Sequence, residues 1–462
     1  MAKQFTVHNP ATGERLATLP CMGRRETEEA IAQAERTLQK HGEIPLSTRE
    51  TWLRRIVEEL QHHHEELART ITLEQGKPLP EARTEVDYGI GFFQYYATHA
   101  STILAPRPVP DVARGGRWTV HHRPTGIAAL ITPWNFPFAM LAKKLSAALG
   151  AGCPVVVKPA EATPLSTLLL WKILKKAGIP KGWANLVHGN AQEIGAVLCA
   201  DPRIRLLSFT GSTEVGRLLA QQSAKTFKRL ALELGGNAPF IVFDDADIPA
   251  AVKALVANKF RCAGQTCVCT NRVYVHRSIR KPFTEALVEA VRRLRVGNGM
   301  EEGVDLGPLI NREAYRKVSR HVGDALKKGA KALLGGVPKP LRHDWGCFFP
   351  PTILTGCTEE MLPFREETFG PVIAIATFTS EKAVLAAANG TPYGLAAYAL
   401  TADPERIERL GSQLHFGHLA INSGTGPTPE APFGGVKHSG YGREGGIEGL
   451  LEFTEPQTIA VQ

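Results

Sequence analysis

Cysteine is sparse in this chain: eight residues in 462, scattered without the spacing of a disulfide framework. That excludes a small, stapled, secreted scaffold and fits a reducing compartment. Long apolar runs are equally scarce. The most membrane-like stretch, residues 126–141, is interrupted by Pro133, Asn135 and Pro137, which makes a poor spanning helix. The first residues, MAKQFTVHNPATGE, carry neither an apolar signal core nor an arginine-rich amphipathic segment. A soluble, cytoplasmic protein with no membrane partner is expected. Repeats, low-complexity tracts and long linkers are missing. FTGSTEVG (209–216) is not Gly-x-Gly-x-x-Gly, and Arg217 and Leu218 follow it where a P-loop needs Lys and Ser/Thr. The net charge of +9 comes from 54 basic and 45 acidic residues. The basic residues are dispersed, and pairs such as Arg292–Arg293 and Lys327–Lys328 fall in helix-like amphipathic runs that read as solvated faces. Without a recognisable binding module, nucleic acid is not an expected partner. His62, His63 and His64 are consecutive and cannot share one helical face, so no metal site is expected.

What is present is an ordinary globular composition, 43% apolar and 21% charged, long enough for two or three packed units. Residues 25–75 show helical spacing of apolar positions. From about residue 125 short apolar runs alternate with helical patterns: GIAALIT, CPVVVKP, WANLV, RLLSFT and KRLALELGG read as strands. Such alternation implies a parallel sheet covered on both faces by helices, so 125–235 resembles a dinucleotide-type unit. A second alternating set runs from PFIVF (239–243) to LAIN (419–422). The tail, LLEFTEPQTIAVQ, is strand-like and suited to pairing with another subunit.

Several segments have residues capable of chemistry, each with a plain alternative. Gly211 and Gly216 follow a strand and open a helix, where exposed N–H groups attract phosphate; a tight strand–helix turn would look the same. Lys158 and Glu161 sit at a strand end where cofactors bind, or form a surface ion pair. Glu233 falls on the opposite strand face from Leu230, Leu232 and Leu234. If that face lines a cleft, desolvation makes Glu233 a general base; otherwise it is an exposed polar face. Asn135, held between Pro133 and Pro137, can donate to an oxyanion or cap the next helix. Cys267 and Cys269 lack the further ligands of a zinc site, and a nucleophilic thiol is plausible there.

Taken together, PWNFP (133–137), KPAEATP (158–164), FTGSTEVG (209–216), LELGG (232–236), GQTC (264–267), EETFGPV (366–372) and PFGGVKHSG (432–440) resemble the aldehyde dehydrogenase superfamily, in the right order over essentially the whole chain. NKFRCAGQTCVCTNR is most similar to the succinate-semialdehyde dehydrogenase branch. The resemblance implies an α/β fold: a Rossmann-type NAD(P)-binding domain from 1–118 and 141–238, a catalytic α/β domain from 239–420, and a small β oligomerisation arm from 119–140 and 445–462. A homo-oligomer, dimer or tetramer, is implied with it.

By the same resemblance Cys267 is the nucleophile, Asn135 with the Cys267 backbone N–H holds the oxyanion, and Glu233 activates water. Trp134, Lys158, Glu161, Gly211, Ser212, Leu234, Glu367 and Phe369 match cofactor-contacting positions, with Glu161 favouring NAD over NADP. Lys143, Arg261, Thr428 and Phe433 match substrate positions for a small carboxylated aldehyde, and Cys269 matches a reversible redox partner of Cys267. Three residues depart from the branch pattern: Lys143 replaces an arginine, Pro427 stands near a serine position, and Cys262 replaces a usual asparagine. These leave a broad-specificity aldehyde dehydrogenase as the alternative. Glu233 argues against transfer of the acyl group to coenzyme A; a cofactor-independent esterase and a non-catalytic binding protein are the remaining readings.

Overall fold

Two open sheets organise the chain; the computed structural model describes residues 3–113, 115–339, 341 and 344–462. The first sheet has six strands in the spatial order Gly440–Tyr441, Arg229–Glu233, Ile204–Thr210, Ile127–Ile131, Val155–Lys158 and Ala184–Leu186. All run parallel except Gly440–Tyr441. Ile127–Ile131 is buried on both faces because helices cover both. Ala128 and Leu130 pack toward the helices Leu46–His62, Leu79–Ile103 and Ala139–Ala151, while Ile127, Ala129 and Ile131 pack toward Ala191–Ala200. The uninterrupted apolar run IAALI is the signature of such a doubly covered strand.

The chain leaves Ile127–Ile131 toward Val155–Lys158 on one side, and its other neighbour is Ile204–Thr210. The crevice of a doubly wound sheet therefore lies at the carboxyl ends of these strands. Thr132–Phe138, Gly211–Ser212 and Glu233 all emerge there.

The second sheet has seven strands: Lys331–Leu334, Thr352–Thr355, Val372–Phe378, Thr270–His276, Ala238–Val242, Ala396–Leu400 and His418–Ile421. Only Lys331–Leu334 is antiparallel to its neighbour. Four residues connect Arg229–Glu233 of the first sheet to Ala238–Val242 of the second, so Glu233 reaches the border between sheets. Cys267 lies just before the central strand Thr270–His276. The two approach so closely that a Cβ on Gly236 would run into the Cys267 carbonyl oxygen.

Thr454–Val461 pairs antiparallel with Arg117–Pro124 along its whole length, and Arg107–Pro108 extends this into a three-stranded sheet. This sheet differs from the expected arm of 119–140 and 445–462. Ile127–Ile131 lies inside the six-stranded sheet, because both its faces are apolar and need cover. Gly446–Leu451 is a short helix packed on Leu79–Ile103 and Ala139–Ala151 rather than a strand.

Candidate active site

Where the two sheets meet, a cavity of about 1060 Å³ is lined by Trp134, Asn135, Lys143, Gly211, Ser212, Leu234, Arg261, Cys267, Glu367, Phe369, Thr428 and Phe433. Twelve of the residues singled out by sequence thus share one wall. Lys158, Glu161, Glu233 and Cys269 are not on it.

The loop that presents Asn135 is fixed by groups far away in sequence. Glu85, on the helix Leu79–Ile103, accepts the N–H groups of Phe138 and Ala139 at 3.0 and 3.2 Å. It therefore caps the helix Ala139–Ala151 and leaves Asn135 free of that task. Lys77 Nζ spans Glu85 Oε2 at 2.6 Å and the Asn135 carbonyl oxygen at 2.8 Å, all buried. One side-chain N–H of Asn135 donates to the Gln265 carbonyl at 2.8 Å. The amide is thus oriented, with its second N–H available, as an oxyanion donor must be.

Cys267 is half-buried, and its thiol is pushed up to about 12, by burial first and by the Glu367 carboxylate second, against Lys143. The preceding turn is strained: Cys262 and Ala263 lie at φ 52° and 53°, in the left-handed region. Glu81 holds this turn by accepting the Cys262 N–H at 2.8 Å. Burial raises the Glu81 carboxyl to about 7.

Cys269 faces elsewhere. Its sulfur lies 3.3 Å from Lys259 Nζ and 3.4 Å from the Gly264 carbonyl oxygen, in the protein interior. Although two residues apart, the thiols diverge because the chain turns between them, with Cys269 N–H donating to Thr266 O at 3.2 Å. Both cysteines are free thiols.

Glu233 is 3% exposed, and among the described residues neither carboxylate oxygen has a hydrogen-bond partner. Burial, followed by the nearby Glu444 charge, raises its carboxyl well above the usual range. It lies against Gly434, where a Cβ would stand 2.7 Å from Oε1. A desolvated carboxylate at the end of a strand, without a partner among the described residues, is suited to taking up a proton.

Sequence reading missed the group beside it. Glu444 is ion-paired with Lys143 at 2.5 Å and with Lys144, which also donates to Ser208 Oγ at 2.8 Å. Burial opposes it, yet the two ammonium groups hold the Glu444 carboxyl down to about 2. No sequence signal joins residues 300 positions apart.

On the other side, the groups fit a nicotinamide dinucleotide. Ser212 caps the helix Thr213–Ser223, accepting the Val215 N–H at 3.3 Å, so that the remaining N–H groups of the first turn face out. Glu367 accepts the Gly236 N–H at 3.0 Å through one oxygen, which leaves the other for a ribose hydroxyl. Burial raises its carboxyl. Among the described residues the buried Thr210 hydroxyl lacks a partner, and the Trp134 and Phe369 rings meet edge to face at 5.7 Å. Lys158 and Glu161, paired at 2.8 Å, lie at the end of Val155–Lys158 in the same sheet.

On the substrate side Arg261 is exposed to the cavity, 5.3 Å over the Phe136 ring. Among the described residues no carboxylate forms an ion pair with it. Lys143 is only 2% exposed and lies 5.0 Å over Phe433. Thr428 and Pro427 line the rim.

The family model "Aldehyde dehydrogenase family" matches residues 1–459. The chain is 46% identical over 460 residues to mitochondrial succinate-semialdehyde dehydrogenase of Oryza sativa subsp. japonica, covering 99% of this chain and 86% of that one. It is 45% identical over 455 residues to the succinate-semialdehyde dehydrogenase [NADP(+)] GabD of Escherichia coli K12, covering 98% and 94%. An oxidoreductase structure from Marinobacter aquaeolei superposes with a TM-score of 0.96 at 50% identity, covering 99% and 94%. With a cysteine, an oriented amide and a desolvated carboxylate at the seam of two α/β sheets, and with these matches along its full length, the chain belongs to the aldehyde dehydrogenase family.

Proposed function

We propose that this enzyme oxidises a short carboxylated semialdehyde, succinate semialdehyde first, to the corresponding dicarboxylate. The observation that carries this reading is Arg261: an unpaired guanidinium on the wall of the cavity that holds Cys267. Although the cavity-lining Glu81 carboxyl feels its charge, no carboxylate among the described residues forms an ion pair with it. Such a guanidinium beside the nucleophile is suited to an anionic group on the substrate, and its planar fork matches a carboxylate. The relatives named for succinate semialdehyde support the same class.

The chemistry follows from the residues. The Cys267 thiol gives up its proton to solvent, its sulfur adds to the aldehyde carbon as a thiolate, and the carbonyl electron pair moves onto oxygen. The second N–H of Asn135 and the Cys267 backbone N–H take up that charge. The oxidising equivalent is what a nicotinamide dinucleotide supplies when bound along Thr210–Ser212, Trp134, Glu367 and Phe369. As the aldehyde hydrogen leaves as hydride to that dinucleotide, the oxygen's electron pair returns to carbon, and the acyl group is left as a thioester on Cys267. Glu233 removes a proton from water as it attacks the acyl carbon; the C–S bond breaks and the carboxylate leaves. NAD is the preferred cofactor in this reading, because a carboxylate at Glu161 opposes a 2′-phosphate. A cytoplasmic homo-oligomer joined through Thr454–Val461 completes it.

The test compares specificity constants for succinate semialdehyde and butanal, read as NADH formation. A ratio of at least about tenfold, worth about 1.4 kcal/mol of transition-state stabilisation, supports the carboxylated substrate. Equal or reversed constants favour a broad-specificity enzyme. Higher constants with NADP than with NAD overturn the cofactor preference alone.

A further inference from the structure

We infer that Lys143 serves the base side of the cavity, as a positioning residue for Glu444 and Glu233, and that Arg261 is the cation left for the substrate's far carboxylate. The second half rests on the proposed carboxylated substrate; the first half does not. The resemblance to semialdehyde dehydrogenases implies that residue 143 is one of two cations clamping that carboxylate. The geometry assigns it elsewhere.

Lys143 Nζ lies 2.5 Å from Glu444 Oε2, and Lys144 occupies Oε1. Glu444 cannot swing away with the lysine, since its backbone exchanges hydrogen bonds with Phe433 at 2.7 and 2.8 Å. The Lys143 ammonium rests over the ring of that same Phe433. A lysine is a single compact charge, without the fork by which an arginine can hold two carboxylates at once. To bind substrate, Lys143 would leave a buried carboxylate half-neutralised, in surroundings where an uncompensated charge is costly. Arg261 has no such obligation.

The next residue after Phe433 is Gly434, against which Glu233 lies. Lys143, Glu444 and Glu233 therefore form one charged layer behind the nucleophile. The charged and titratable groups facing Glu233 are Glu444, which raises its proton affinity, and Lys143, Lys144 and Arg443, which lower it; the Cys267 thiol completes the ring. Removal of the Lys143 charge leaves Glu233 harder to ionise, and the hydrolysis that needs it ionised shifts to higher pH.

Three variants test this: Lys143→Met, Lys143→Arg and Arg261→Met. KM and kcat are measured for succinate semialdehyde and butanal. Carboxylate release from the acyl-enzyme is followed by rapid quench in a single turnover across pH. Lys143→Met is expected to slow release from both aldehydes alike, to change the ratio of their specificity constants less than about threefold, and to move the acid limb of release upward by roughly one pH unit. Lys143→Arg restores the limb. Arg261→Met raises KM for succinate semialdehyde about tenfold or more and spares butanal.

The inference is overturned if Lys143→Met cuts the succinate semialdehyde constant about tenfold while sparing butanal, or if the acid limb stays where it is. Should Lys143→Met not fold, Lys143→Arg decides alone: a gain of about tenfold in carboxylate discrimination makes position 143 a substrate ligand, and an unchanged ratio upholds its place beside Glu444. If the unaltered enzyme shows no preference for succinate semialdehyde, the substrate reading falls, and the pH limb still judges Lys143.

Discussion

Glu233 and Cys267 are both shifted away from their ionised forms by burial. For a base this has a definite sign. Glu233 must be ionised to take a proton, its carboxyl is raised, and so turnover falls as pH drops through that raised value. The acid limb of kcat is expected above the ordinary carboxylate range, and a limb near pH 4 would contradict it. Glu233→Gln is expected to lower turnover by about 10²- to 10⁴-fold. Cys262 is a second residue with a consequence of its own. It stands at φ 52° with a side chain that gains nothing from the left-handed region, where asparagine is tolerated far better. Cys262→Asn is therefore expected to raise stability by about 1 kcal/mol, measured by urea denaturation, and to leave the fold unchanged. Much at this scale is legible in the chain itself. Glu233 follows from strand alternation in KRLALELGG, once the polar face is known to be buried. The separation of Cys267 from Cys269 is not legible, because two residues two apart share a face only in a strand, and the strand begins at Thr270.

Elements position these groups through contacts that local patterns do not record. Asn135 could have been a helix cap or an oxyanion donor. The cap is filled by Glu85, fifty residues earlier, which takes the N–H groups of Phe138 and Ala139. Lys77 then ties Glu85 to the Asn135 carbonyl. Removing the lysine leaves Glu85 buried beside an unfilled acceptor. Lys77→Met is expected to cost about 3–5 kcal/mol of stability, because breaking one partner of a buried pair strands the other. Loss of the Asn135 geometry should lower kcat more than it raises KM. A stability change below about 0.5 kcal/mol, the scale of an ordinary surface substitution, would show that the network is not needed. Glu444 stayed hidden for the same reason: GYGREGG reads as a glycine-rich connection, and only folding brings it onto the lysines of the helix Ala139–Ala151.

At the scale of the whole molecule the candidate site lies at a seam between the two sheets. Ends of strands from the six-stranded sheet supply Asn135, Ser212 and Glu233, and the entry to the central strand of the seven-stranded sheet supplies Cys267. Alternating apolar runs and helices made both sheets readable, since doubly covered strands such as Ile127–Ile131 and Ala238–Val242 are apolar throughout. The limits of the arm were less readable: Ile127–Ile131 looks like any apolar strand, and its place depends on which helices cover it. The strand Thr454–Val461 stands apart from both cores, with most of its residues exposed. Truncation after Phe453 is expected to yield monomers by light scattering if this strand joins subunits, and an unchanged mass would place the interface elsewhere. The central claim, that Cys267 carries the acyl group and Glu233 releases it, is tested most directly by peptide mass spectrometry of Glu233→Gln incubated with NAD and succinate semialdehyde. A succinyl adduct is expected to accumulate on Cys267 and on no other cysteine. Steady NADH formation with Cys267 unmodified throughout would contradict it.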